Sequence, residues 1–118
     1  MSDFCIYHNP RCSKSRQTLQ LLEDRGIEPV VRLYLQDPPT EDELRRLLAQ
    51  LGIGARALLR RGEQAYRDQQ LAEATLSEDA LIAAMIQHPK LIERPIVVKG
   101  DRAVLGRPPE NVLALLDD

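Results

Sequence analysis

Apolar positions along this 118-residue chain fall into short continuous runs and helix-spaced repeats, and the switches between them mark its elements. "DFCIY" (Asp3 to Tyr7) is a short run of strand formers closed by "HNP", which predicts a first strand buried on both faces. "SKSRQTLQLLEDRG" follows with Thr18, Leu19 and Leu22 on one helical face and Gly26 as a stop. "PVVRLYL" (Pro29 to Leu35) predicts a second strand. Thr40 and Glu43 have the spacing of a capping box, and Leu44, Leu47, Leu48 and Leu51 then repeat at i, i+3, i+4 and i+7 up to Gly52. "GARALLRRGEQAYRDQQLAE" predicts two short helices around a turn at Gly62. "LSEDALIAAMIQHP" predicts another helix, capped by Ser77 and stopped before Pro89, with His88 as a charge at its C-terminal end. Ile96–Val98 and Ala103–Leu105, joined by "KGDR", predict a β-hairpin. "PPENVLALLDD" predicts a terminal helix with proline in its first turn.

The order is βαβ, then several helices, then ββα. It predicts an α/β domain over residues 1–118, with one mixed four-stranded sheet, helices on both faces and a helical insertion at about 40–90. A βαβ half followed by a ββα half is the arrangement of the thioredoxin- and glutaredoxin-like fold. This analogy of order carries no function by itself.

Composition narrows the classes. Apolar residues make up 43%, enough for a core without disulfide or metal staples. A net charge of −2 offers no global field for nucleic acid or an anionic membrane. Apolar runs stay short of a membrane span of roughly 20 residues, and "MSDFCIYHNP" reads as a start without a signal peptide. Two cysteines seven residues apart make neither a disulfide framework nor a zinc pattern, so no metal is expected, and no bound cofactor is expected either. The expectation is a cytoplasmic monomer with free thiols.

Candidate chemistry lies in "CIYHNPRCSKSRQTL" (Cys5 to Leu19). Cys12 falls between a strand and a helix, where unbonded backbone N–H groups and the helix dipole favour a thiolate. Arg11, Lys14 and Arg16 add positive charge, and Ser13 and Ser15 offer hydroxyls or caps. The competing reading is a small buried residue in an ordinary turn, and the stretch alone does not separate the two. Cys5, mid-strand, is expected to be packed and inert. His8 could orient or deprotonate the Cys12 thiol, or be a turn histidine bonded to backbone. Position 15 is serine, so a redox-active Cys12 would need a thiol from outside the chain.

"YHNPRCSKSR", "LYLQDPP", "GIGARALLR", "LIERPIVV" and "GRPPE" occur in family order along nearly the whole chain. Together they resemble the glutaredoxin-coupled arsenate reductases and their reductase-like relatives. The resemblance implies a thioredoxin-like fold with a helical insertion. It implies Cys12 as nucleophile, His8 and Ser15 as supports of its thiolate, and Arg60, Arg94 and Arg107 as ligands of a tetrahedral oxyanion. It implies a cis bond before Pro95. Arginine suits such a ligand because its planar fork stays charged and matches two oxygens. The implied reaction reduces arsenate to arsenite, with glutathione as reductant and glutaredoxin as partner. Arg11 and Lys14 look more like the reductase-like branch. That keeps a second expectation open, a glutathione-linked thiol oxidoreductase with another substrate. A third, an Spx-like transcription regulator, usually carries a CxxC pair where this chain has Ser15.

Overall fold

The computed structural model describes residues 3–116. Met1 and Ser2 of the expected leaderless start, and Asp117 and Asp118 of the expected terminal helix, lie outside the described residues. The chain divides into two compact units, residues 1–37 with 94–118, and residues 38–93.

In the first unit, β1 (Phe4–Tyr7) is a central strand. It runs parallel to β2 (Val30–Arg32), with Ile6 opposite Val31. On its other side it is antiparallel to β3 (Ile96–Lys99), with Ile6 opposite Val97. β3 turns back at Gly100, whose φ of 61° suits a residue without a side chain, into β4 (Arg102–Leu105). The mixed sheet has the order β2-β1-β3-β4, the four-stranded α/β arrangement expected from the element order. α1 (Ser13–Asp24) connects the two parallel strands.

Alternation along β1 puts Phe4 and Ile6 on one face. There they meet Leu22 of α1, Val97 of β3, and Val112 and Leu115 of a 3-10 helix (Pro109–Leu116). Burying each of these aliphatic side chains stabilises the unit by about 1.5–3 kcal/mol. Cys5, the alternate residue, is only half-buried.

Two elements differ from the sequence expectation. β2 ends at Arg32 instead of Leu35, because the Leu33 carbonyl accepts the Gln36 and Asp37 amides and closes a turn. The apolar run continues because Tyr34 is buried, not because the sheet does. Val30, 58% exposed, lies on a sheet-edge strand. The terminal helix is 3-10 instead of α. Pro108 and Pro109 remove amide donors at its start, and the Asn111 amide bonds back three residues to Pro108. Lys99 and Arg102 donate to the Leu115 and Ala114 carbonyls near its end.

The second unit is helical. α2 (Glu41–Leu51) begins with the complete capping box: Thr40 Oγ1 accepts the Glu43 amide, and Glu43 Oε1 accepts the Thr40 amide. It ends at Gly52, with φ 71°. α3 (Ala55–Leu58) and α4 (Gln64–Asp68) flank Gly62. α5 (Glu78–Gln87), capped by Ser77, packs on α2 and α3. Its Glu78 carboxylate also accepts the Ala55 amide at 2.8 Å. Leu44, Leu47, Leu58, Leu81, Ile82 and Met85 are buried. An isolated antiparallel bridge joins Leu59 to Ile92. Among the described residues, no helix is long and apolar enough to cross a membrane.

Candidate active site

Cys12 is the N-cap of α1, with extended backbone (φ −95°, ψ 122°). Its amide donates to the Asn9 carbonyl at 3.0 Å and its carbonyl accepts the Arg16 amide at 3.0 Å. The loop and first helical turn are therefore closed around the residue, and the thiol projects where the helix amides lack carbonyl partners. Burial pushes the thiol pKa up. Against this, the Ser15 amide, the Arg94 guanidinium with its charge, and the Lys14 amide pull it down. The net effect holds Cys12 below its ordinary value of 9.0.

Arg107 adds a second guanidinium. Its Nη1 donates toward Cys12 Sγ at 4.0 Å and to the Arg94 carbonyl at 3.3 Å. Arg94 and Arg107 each precede a proline, and both peptide bonds, Arg94–Pro95 and Arg107–Pro108, are cis. Gly106 locates Arg107. Its amide donates to the Pro95 carbonyl at 2.9 Å, and its carbonyl accepts from Thr18 Oγ1 at 3.3 Å. A Cβ at position 106 would lie 2.7 Å from Thr18 Oγ1 and 2.8 Å from Pro95 Cγ. Only glycine permits this approach of the loop to α1.

His8 is buried and bonds Ser15, not the thiol. Its Nδ1 is 2.7 Å from Ser15 Oγ, which also accepts the Asn9 amide at 3.0 Å. Burial lowers the His8 pKa below 6.5, and the Arg16 charge lowers it further against a weaker opposing effect of Glu23. A neutral ring fits this bonding. Ser15 Oγ accepts the Asn9 amide and still has its own proton to donate to an unprotonated Nδ1. Neither local reading of His8 anticipates this side-chain partner. Ser15 serves the loop, while Cys12 itself occupies the cap position.

Arg60 belongs to the second unit. Its amide donates to the Leu91 carbonyl at 2.8 Å beside the Leu59–Ile92 bridge. Its guanidinium meets two carboxylates, Glu93 Oε1 at 3.3 Å from Nη1 and Glu63 Oε2 at 3.4 Å from Nε. Neither glutamate was singled out by sequence reasoning. Glu63 was findable, because Arg60 and Glu63 are three residues apart. Glu93 was not, because its approach depends on the long-range bridge. Among the described residues, no group of three or more His, Cys, Asp and Glu could hold a metal ion.

The site therefore combines a lowered thiol, helix amides and two guanidiniums, an arrangement that stabilises a thiolate and would attract an oxyanion to it. The chain is similar to known proteins over nearly its whole length. The model of the ArsC family matches residues 7–115. An arsenate reductase of Escherichia coli is 51% identical across the whole chain, which spans 84% of that relative. The uncharacterized protein YfgD of Escherichia coli K12 is 55% identical over 94% of each chain. The solved structure of arsenate reductase from Vibrio cholerae superposes with a TM-score of 0.92 at 55% identity, covering 94% of this chain and 95% of that one.

Proposed function

The chain belongs to the ArsC family, and on that premise we propose that it reduces arsenate to arsenite through the Cys12 thiolate. The observation that carries this reading is the sulfur itself, approached by Arg107 Nη1 at 4.0 Å and held below its ordinary pKa in part by Arg94. Two fixed cations beside a nucleophile serve both partners of the reaction. They hold the thiol ionised, and they bind and neutralise a tetrahedral oxyanion as it is attacked.

Cys12 thiolate attacks arsenic and an oxygen leaves as water or hydroxide. The thiol of glutathione then attacks the Cys12 sulfur of the adduct. The sulfur–arsenic bond breaks, its electron pair stays on arsenic, and arsenite departs. Two thiols have become one mixed disulfide, and the two electrons have moved to arsenic. A glutaredoxin thiolate attacks the glutathione sulfur and releases Cys12 as thiolate. His8, bonded to Ser15, acts as a positioning residue for the loop that carries Cys12. Arg60 is the third oxyanion ligand in this reading, and arsenate must compete with Glu63 and Glu93 for it.

That competition favours one second reading, a glutathione-linked thiol oxidoreductase whose substrate uses Arg94 and Arg107 alone. NADPH consumption, coupled through glutathione reductase, glutathione and glutaredoxin, separates the two. The first reading expects a rate that depends on arsenate and disappears in Cys12→Ser. A rate no greater than in Cys12→Ser rejects it. Reduction of a glutathione mixed disulfide without arsenate supports the second.

A further inference from the structure

The described residues leave three large apolar side chains exposed, Val30, Val31 and Leu35. All of them lie on β2 or in the turn that follows it, and β2 is an edge of the sheet. A single exposed apolar residue is ordinary, but a cluster on an unpaired strand edge marks a pairing surface.

The backbone of this edge has a definite pattern. The His8 amide donates to the Arg32 carbonyl at 2.9 Å, so the peptide groups of Arg32 and, two residues back, of Val30 turn toward β1. Val31 turns both its N–H and its C=O the other way. A trans peptide holds successive C=O and N–H groups opposed, so the Pro29 C=O and the Leu33 N–H also point outward. Among the described residues, none bonds these outward groups.

A two-fold axis at Val31 satisfies all of them. In an antiparallel pair of copies, each Val31 exchanges N–H···O bonds with Val31 of the second copy. Each Leu33 N–H then reaches the Pro29 carbonyl of the second copy. The groups that such a register would strand are already accounted for. Pro29 has no N–H, and the Leu33 carbonyl accepts the Gln36 and Asp37 amides at 3.0 and 2.9 Å within its own chain. The side chains agree with the backbone. Val31 faces Val31, and on the other face Val30 lies opposite Arg32 of the second copy. The exposed Glu28 falls diagonally across from that arginine, within reach of long side chains. A foreign strand would have to match this pattern by coincidence, whereas a second copy matches it by symmetry.

We propose that β2 pairs antiparallel with β2 of a second copy about a two-fold axis at Val31, joining the two sheets into one. A three-residue strand buries little area, so the dimer is weak and forms with rising concentration. The monomer expected from the sequence is its dilute form.

Sedimentation of the full chain between about 10 μM and about 1 mM should show a monomer–dimer equilibrium. Amide exchange at Val31 and Leu33 should slow over the same range. Val31→Lys sets like charges directly opposite each other and should raise the dimer Kd about tenfold, as should Val31→Glu. An equimolar mixture of the two variants should dimerise more tightly than either alone, a rescue that requires residue 31 to face its own copy. Should either variant fail to fold, protection of the wild-type Val31 and Leu33 amides decides instead. Wild type that stays monomeric, protection that appears elsewhere, or a mixture no tighter than its components overturns the assignment. So does an extended valine-rich peptide that protects the same amides of a chain remaining monomeric, because the edge then receives a foreign strand.

Discussion

Arg107 Nη1 lies 4.0 Å from Cys12 Sγ, although 95 residues separate the two in the chain. The contact joins the start of α1 to the loop after β4, and the Thr18–Gly106 hydrogen bond anchors that loop to the same helix. The charge at the sulfur is thus supplied from the far end of the sequence and set by a glycine that can approach a helix closely.

Arg94→Ala should move the pH midpoint of Cys12 alkylation upward, because it removes a hydrogen bond and a charge that hold the thiol down. Iodoacetamide labelling across a pH series measures it. The variant's kcat/KM for arsenate should fall about 10²-fold or more, as when other oxyanion-stabilising donors are removed. An unchanged labelling midpoint would show that Arg94 does not hold the Cys12 thiol down.

His8 makes stability depend on acid. The folded pKa lies below the ordinary 6.5. In the window between them the unfolded ring binds a proton that the folded ring does not. The stabilisation is therefore present above pH 6.5 and is lost as pH falls through the folded pKa. Urea unfolding of wild type and His8→Gln at a series of pH values should give a steeper acid decline for wild type. Parallel curves would mean that His8 is not the group responsible.

Gly106→Ala should destabilise the protein by about 1–3 kcal/mol, because the new methyl meets Thr18 and Pro95 inside 3.0 Å. Thermal unfolding should show a loss of at least about 4 °C. Adding Thr18→Ala should recover part of it by clearing one side of the clash. A single variant as stable as wild type would contradict the packing at this position.

Thr40→Ala removes half of the capping box on α2 and should cost about 1 kcal/mol. Thr40→Asp or Thr40→Ser should largely restore it, since either side chain can accept the Glu43 amide. Denaturant midpoints at unchanged m-value are the measurement. Equal midpoints for alanine and serine would mean that the cap contributes nothing to the helix.

Much of the architecture was legible because its signals are local. Short apolar runs located β1 and the hairpin, residues sharing a helical face located α1 and α2, Thr40 and Gly52 bounded α2, and Ser77 and Pro89 bounded α5. The end of β2 was not legible, since "VVRLYL" is apolar throughout and only the burial of Tyr34 and the Leu33 turn divide it. The 3-10 geometry of the last helix escaped for a related reason. Its apolar spacing fits either helix, and the proline-led start with its i→i+3 bond distinguishes them.

The candidate site divides in the same way. Cys12 at a helix start was readable from fifteen residues, because capping and helix-end electrostatics act within one turn. Whether that thiol has company was not readable there. The arginines entered through the resemblance of separated motifs, and the partners of His8 and Arg60 became visible only in space.

The sequence by itself determined which segments become strands and helices, and that a cysteine stands at the beginning of α1. Those choices are made by neighbours a few positions apart. The tertiary structure alone decided what surrounds the sulfur. Antiparallel pairing of β1 with β3 sets Tyr7 opposite Ile96, so the chain around Arg94 and Pro95 passes the loop that carries Cys12. The hairpin then returns Gly106 to α1, and Arg107 follows. No local pattern encodes that convergence, because it follows from strand register and from the space left by a missing side chain.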